Sequence, residues 1–300
     1  MGPTAAWFLK KLNASYLPTP RRRFGQNFLN SPFVLSQMKE AISPKKNDCL
    51  IEIGPGQGAL TEVLLPHVDH MDAVELDRDL IVFLKQKFLV PLGKLTLHAS
   101  DVLKFDFHAW AKNYKNNNKI RIVGNLPYNI STELLFYLLT YLADIQDLHF
   151  LLQKEVVDRI SAEVGTREYG RLSVLLQYYF HIEPLFLVPP ESFYPAPKVM
   201  SQFVRLIPKE NKNFSFIDID IDIDIGFREL DEILKLAFQM RRKTLRNNFK
   251  NMTSFLGQPV TYEMLEDIFD RLKLSMDARP QNLSVKDFSA IAAELKKKII

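Results

Sequence analysis

Residues 49–58, C-L-I-E-I-G-P-G-Q-G, constrain this chain more than any other stretch. The mostly apolar run C-L-I-E-I reads as a buried strand, and the glycines at 54, 56 and 58 form the turn behind it. Glycine there lets the backbone turn sharply and come close to a ligand. A helical pattern follows through about Leu65. The same rhythm then repeats. M-D-A-V-E (71–75), K-L-T-L-H (94–98), I-R-I-V-G-N (120–125) and D-L-H-F-L-L-Q (147–153) read as strands, and 78–88, 131–142 and 154–163 as helices. Strands alternating with helices predict an α/β fold with a parallel sheet covered on both faces. After a helix around Leu172–Phe180, the stretches 182–188 and 201–207 read as paired edge strands around a proline-rich loop.

Beyond Pro208 the character changes. F-S-F-I-D-I-D-I-D-I-D-I-G (214–226) is a low-complexity repeat whose acids favour a solvated linker over a strand. Helical patterns at about 229–249, 261–272 and 285–298 follow, with no clear strand. The expected plan is a disordered arm over 1–20, a sheet domain over 21–208, a linker over 209–228 and a small helical domain over 229–300. A single cysteine, Cys49, excludes a disulfide framework and fits a reducing, cytoplasmic setting. Six scattered histidines give no ligand cluster, so no metal is expected. No apolar run approaches the roughly twenty residues of a membrane span.

The strand ends carry the chemistry. Glu75 ends the second strand and stands where such folds hydrogen-bond ribose hydroxyls. That leaves a dinucleotide site or an S-adenosyl-L-methionine site. The G-x-G-x-G spacing departs from the G-x-G-x-x-G of a pyrophosphate binder. Glu52, just before the loop, would repel a pyrophosphate but attract a sulfonium amino acid. Asp101, after the third strand, is either a helix N-cap or a contact to an adenine amino group.

At the end of the fourth strand comes Asn125-Leu126-Pro127-Tyr128. Alone this could be a turn, since Pro127 cannot donate to a ladder and forces Leu126 towards an extended conformation. Beside a methyl donor it has a chemical use. An exocyclic adenine amine is a poor nucleophile because its lone pair is delocalised. The Asn125 side-chain oxygen and the Leu126 carbonyl can hold both amine hydrogens, Pro127 can fix that carbonyl, and Tyr128 can stack on the base. Catalysis of this kind rests on positioning rather than on a strong base, and it requires an unpaired or flipped-out base.

Charge distribution points the same way. Met1 to Lys46 holds eight basic residues, Arg21, Arg22 and Arg23 among them, against Glu40 alone. Arg241, Arg242, Lys243 and Arg246 form a second run without an acid, read as a phosphate-contacting helix of the second domain.

Eight ordered blocks make the chain recognisable: R-F-G-Q-N-F-L (23–29), E-I-G-P-G-Q-G-A-L-T (52–61), V-E-L-D-R-D-L (74–80), G-N-L-P-Y-N-I-S-T (124–132), L-Q-K-E-V (152–156), Y-G-R-L-S-V (169–174), F-Y-P-A-P-K-V (193–199) and F-Q-M-R-R-K-T-L-R-N-N (238–248). From about Arg21 to the C-terminus it resembles the KsgA-type small-subunit ribosomal RNA adenine dimethyltransferases. The resemblance implies a Rossmann-like S-adenosylmethionine-dependent methyltransferase sheet with a small C-terminal helical domain. It places cofactor contacts on Asn27, Leu29, Gly54, Glu75, Asp101 and Asn125, the catalytic motif on Asn125 to Tyr128, and a second aromatic against the target base on Phe193. It further implies methylation of N6 on two adjacent adenosines near the 3′ end of 16S rRNA, the small ribosomal subunit as partner, a monomer, and a role in late assembly. The nearest rivals are the large-subunit adenine methyltransferases, which more often carry Ile in place of Leu126, and methyltransferase-like nucleic-acid-binding factors.

Overall fold

The computed structural model describes residues 18–21, 25–89, 93–112, 119–209 and 222–299. The arm over 1–17, Arg22, Arg23 and most of the Ile-Asp repeat lie outside the described residues. Two compact units emerge. One comprises residues up to Lys154 together with Pro184–Ile207; the other comprises Glu155–Glu183 together with Pro208 onward. The division is therefore not a single cut at 208, because Glu155–Glu183 groups with the C-terminal helices.

The first unit begins with a short strand β1 (Phe28–Leu29) and a helix α1 (Pro32–Ile42). Helix α1 goes unassigned by the sequence rhythm, yet its start is written in Ser31, whose hydroxyl accepts from Val34 N, and in Pro32 at the first helical position. Then come β2 (Cys49–Ile53), α2 (Ala59–Leu64), β3 (Met71–Glu75), α3 (Arg78–Leu84), β4 (Leu95–Ala99), α4 (Phe107–Ala111), β5 (Ile120–Asn125), α5 (Ser131–Leu138) and β6 (Ile145–Gln153). These five strands lie within two residues of their expected bounds. The short helix α6 (Lys154–Ile160) and α7 (Arg171–Tyr179) lead to β7 (Phe180–Val188), followed by β8 (Phe193–Tyr194) and β9 (Ser201–Pro208).

Seven strands form one sheet in the order β4-β3-β2-β5-β6-β9-β7. Strands β2 to β6 run parallel, and β9 joins β6 antiparallel. The sheet is thus mixed, and β9 is interior; only β7 of the expected pair is an edge. Both faces of β2 and β3 are buried, as a doubly covered sheet demands. Met38 and Ile42 of α1, Leu64 of α2 and Leu84 of α3 pack with Leu50, Met71, Val123 and Phe203 from the sheet into one core. Cys49 is buried in β2; burial, with Asp72 and Asp48 nearby, pushes its thiol up to about 12, so it behaves as a small apolar residue.

At the amino ends of the strands, Arg121 of β5 is closed in by partners. Its guanidinium grips Asp147 of β6 at 3.0 Å through both Nε and Nη2, Asp48 at 2.6 Å, and the Ile42 carbonyl that ends α1 at 2.6 Å.

In the second unit, α8 (Asp222–Ala237), α9 (Leu245–Phe249), α10 (Tyr262–Arg271) and α11 (Val285–Ile299) join α7. Helix α8 begins inside the segment expected as linker. Buried Leu230, Ile233, Leu234 and Ala237, at helical spacing, anchor it, and it extends back over the end of a repeat whose period of two had suggested no helix. The helix expected over 229–249 is two helices, because residues 238–243 turn and Thr244 caps α9. A two-residue hairpin, β10 (Ser254–Phe255) and β11 (Gln258–Pro259), also appears where no strand was expected; Leu256 and Gly257 both take positive φ at its tip.

Candidate active site

The switch in strand order falls between β2 and β5: from β2 the chain proceeds outward through β3 and β4, then returns to β2's other side with β5. Ligands in open α/β sheets bind at the carboxyl ends beside such a switch. Here those ends open into one cavity, walled by Asn27, Phe28, Leu29, Gly54, Glu75, Asp101 and the Asn125–Tyr128 block. Residues from four strand ends and from the segment before α1 thus converge although they span a hundred positions of sequence.

Each wall has a local cause. Gly54 adopts φ +63 with nothing within 4 Å of where a Cβ would stand, so a side chain there would be strained and would project into open space. The conformation keeps a place clear. Gly124 meets the opposite demand: a Cβ would lie 2.6 Å from the Ile53 carbonyl oxygen. Only glycine lets β5 approach β2 this closely at the switch.

Glu75 is buried, and its Oε1 accepts from Leu76 N at 2.8 Å and Asp77 N at 2.9 Å. Its Oε2 accepts from Gly56 N at 3.3 Å, a long contact that leaves that oxygen capacity for a ligand hydroxyl. Burial raises its carboxyl above the ordinary range, opposed by these backbone N–H groups. Asp101 takes the N-cap reading. Its Oδ1 caps the short turn Val102–Lys104 by accepting from Leu103 N at 3.1 Å, and the residue also lines the cavity.

Glu52 is 2% exposed and accepts from the Thr61 hydroxyl at 2.5 Å. Burial pushes its carboxyl up to about 7; the Thr61 bond and Lys87 pull against burial and against neighbouring Glu75. A cavity-lining carboxyl held this way gains from a cation beside it.

Asn125 ends β5 and donates from Nδ2 to the Asn27 carbonyl at 2.9 Å. That bond settles which way the amide points: nitrogen towards Asn27, with Oδ1 left as an acceptor. Leu126 is buried and its N–H bonds the Leu151 carbonyl. The Pro127 carbonyl accepts from Ile130 N, which makes the block a turn as well as a cavity wall. Tyr128 stands half-buried, its hydroxyl 2.7 Å from Ser201 Oγ. Burial raises its phenol, so the group stays neutral.

Other expected residues go elsewhere. Phe193 is 3% exposed and packs into the core with Leu29, its partner in the β1–β8 ribbon. Its neighbour Tyr194 pairs with the cavity residue Phe28 and is 65% exposed, because adjacent strand positions face opposite ways. Arg21 is engaged by Asp77 and Asp79 at the start of α3. In the second unit Arg241, Arg242 and Lys243 lie between α8 and α9 rather than on a helix. Arg241 donates to the Arg167 and Tyr169 carbonyls, and Arg246 on α9 pairs with Glu266 and Asp277. Arg242 and Lys243 are exposed. Sequence reading missed the cavity residues Phe28 and Gln57 and the tether at Ser201. The first stood in plain view in R-F-G-Q-N-F-L; a serine inside a strand pattern gave no signal at all.

Comparison with known proteins extends from the site to the whole chain. Ribosomal RNA small subunit methyltransferase A of Marinomonas sp. (strain MWYL1) is 45% identical over 278 residues, 93% of this chain and 96% of that protein. The protein of the same name from Vibrio cholerae is 44% identical over 272 residues, 91% of this chain and 92% of that one. Among solved structures, a dimethyladenosine transferase from Plasmodium falciparum superposes with a TM-score of 0.74 at 28% identity, over 90% of this chain and 98% of the other. The 23S rRNA methyltransferase ErmE shares the fold, with a TM-score of 0.64 at 18% identity over 90% of this chain and 100% of its own. A family model described as ribosomal RNA adenine dimethylase matches residues 18–297, and with the cavity's blocks all inside that span, the chain belongs to the ribosomal RNA adenine dimethylase family.

Proposed function

We propose that this chain transfers methyl groups from S-adenosyl-L-methionine to N6 of two adjacent adenosines in a loop near the 3′ end of 16S rRNA, acting in the cytoplasm on the small ribosomal subunit late in its assembly. The observation that carries the reading is the Asn125 amide, turned by Asn27 so that its oxygen is an acceptor at the cavity.

The cavity suits the cofactor. Gly54 keeps space clear, Glu75 and Asp101 offer carboxylate oxygens for ribose and adenine, and Glu52 offers a charge that a cation would stabilise. When bound, S-adenosylmethionine supplies a methyl group on a positively charged sulfur. The chain's own residues prepare the acceptor. Asn125 Oδ1 and the Leu126 carbonyl take the hydrogens of the adenine amine, which draws the nitrogen towards tetrahedral geometry and frees its lone pair. The Tyr128 ring holds the base by stacking. Each transfer would exchange the donor's sulfur–carbon bond for a nitrogen–carbon bond, leave the electron pair on a neutral thioether sulfur, and release one proton from the nitrogen to solvent, so that a second round needs only one amine hydrogen held. No strong general base is required, because the developing charge on nitrogen meets fixed acceptors.

The test is tritium transfer from methyl-labelled S-adenosylmethionine to unmethylated small subunits, with large subunits alongside and the RNA digested to nucleosides. Label in N6,N6-dimethyladenosine from small subunits alone is expected. Label confined to large subunits, or none despite binding of cofactor and RNA, overturns the reading.

A further inference from the structure

Tyr128 is held differently from the rest of its block. Its backbone is fixed locally: Ile130 N closes on the Pro127 carbonyl, and the Ser131 hydroxyl donates to the Tyr128 carbonyl at 3.2 Å. Neither bond controls the two torsions that swing the ring. The far end of the ring is controlled from another strand. Ser201 opens β9, is 0% exposed, and places Oγ 2.7 Å from the Tyr128 hydroxyl.

The mount of that serine is rigid. Ser201 is in register with Gln153 in the β6–β9 ladder, and the carbonyl just before it, that of Met200, accepts from Lys154 N at 2.9 Å. Because β9 is interior to the sheet, it has a neighbour on either side. A hydroxyl at this fully buried position adds nothing to apolar packing that a methyl would not supply. The phenol is neutral, so it serves neither as base nor as nucleophile.

We propose that Ser201 is a positioning residue for methyl transfer: its hydroxyl pins the Tyr128 phenol so that the ring stands as a fixed wall for the target adenine. This rests on the reading of Tyr128 as the aromatic face for that base. Ser201 touches neither substrate nor cofactor and acts only through the ring. A base that must sit with its amine between Asn125 and the Leu126 carbonyl gains from a wall already in place, since orientation is most of what the site supplies.

The experiment is a double-mutant cycle with Ser201→Ala and Tyr128→Phe, which break the same bond from its two ends. Turnover on small subunits is measured at a temperature where circular dichroism shows each variant folded, and S-adenosylmethionine affinity is measured by calorimetry. Each single change is expected to lower kcat about three- to tenfold with cofactor affinity unchanged. The double variant is expected to be no slower than the worse single, because one bond cannot be lost twice. Should Ser201→Ala fail to fold, the Tyr128→Phe arm decides alone. Wild-type kcat in either variant, or losses that multiply in the double, overturn the inference. A wild-type chain that transfers no methyl at all sinks the adenine reading and takes this inference with it, so the two failures are distinguishable.

Discussion

Strand β5 has two ends built on opposite principles. Near its start, Arg121 is 5% exposed, and its guanidinium meets two carboxylates and the carbonyl that ends α1. At its end, Asn125 gives its amide nitrogen to one carbonyl, keeps its oxygen as an acceptor, and lines the cavity. Two buried carboxyls repeat the contrast. Burial alone would raise Asp147, but His149 beside it and the Arg121 guanidinium outweigh that and hold its carboxyl below the usual range. Glu52, equally buried, sits at about 7 for want of a comparable cation. Asp147 thus has a guanidinium against it, whereas Glu52 has the Thr61 hydroxyl and, more weakly, Lys87. The first arrangement serves stability. The second lines the cavity.

Breaking the closed end should produce the largest effect. Arg121→Ala strands Asp147 and Asp48, and the chain should lose about 3–5 kcal/mol of stability in urea unfolding while whatever remains folded methylates normally. A loss under about 1 kcal/mol would mean that water replaces the guanidinium and that the two ends are less different than they look.

At the open end the pattern should invert. Asn125→Ala should cost about 10²–10³ in kcat, the scale of a lost preorganised contact, with RNA binding nearly intact and stability within about 1 kcal/mol. Methylation at the wild-type rate would remove Asn125 from the mechanism.

The smallest effect, and the sharpest test of the contrast between the two carboxyls, concerns Glu52. Its folded value of about 7 stands above the ordinary 4.5, so the neutral form is favoured in the folded chain. Stability from this group is therefore full below about 4.5 and declines as pH rises towards 7. A bound cation favours the ionised form, so S-adenosylmethionine affinity should rise, by less than about tenfold per unit, as pH passes from 6 to 7.5. Glu52→Gln should flatten that slope in calorimetry; an identical slope would place the proton elsewhere.

Much of the closed framework was legible in sequence because its signals are local. Apolar runs bounded by glycine gave β2 and β5, and charged residues on strand ends gave Glu75 and Asp101. What escaped was settled by distant partners. Nothing near Arg246 announces Glu266 or Asp277, so one cation of a run that reads as bare is ion-paired by the fold. Phe193 and Tyr194 differ by one position, and only the ribbon with Phe28 and Leu29 decides which faces the core. The end of the Ile-Asp repeat looked like linker because its period hides how the pattern after Gly226 extends a helix backwards.

The bond from Asn125 to the Asn27 carbonyl has a consequence for how activity depends on the chain as a whole. An amide's oxygen and nitrogen have the same outline, so N-L-P-Y alone does not say which atom faces the adenine. That choice is made by a backbone carbonyl 98 positions earlier in the chain. On the proposed mechanism, a molecule whose sheet has formed but whose leading segment has not yet docked would hold the whole N-L-P-Y motif and still present an Asn125 amide free to face either way. If Asn125 holds the target amine as proposed, methylation would report a finished fold, because the amide is oriented only when the segment carrying Asn27 has come back to meet it.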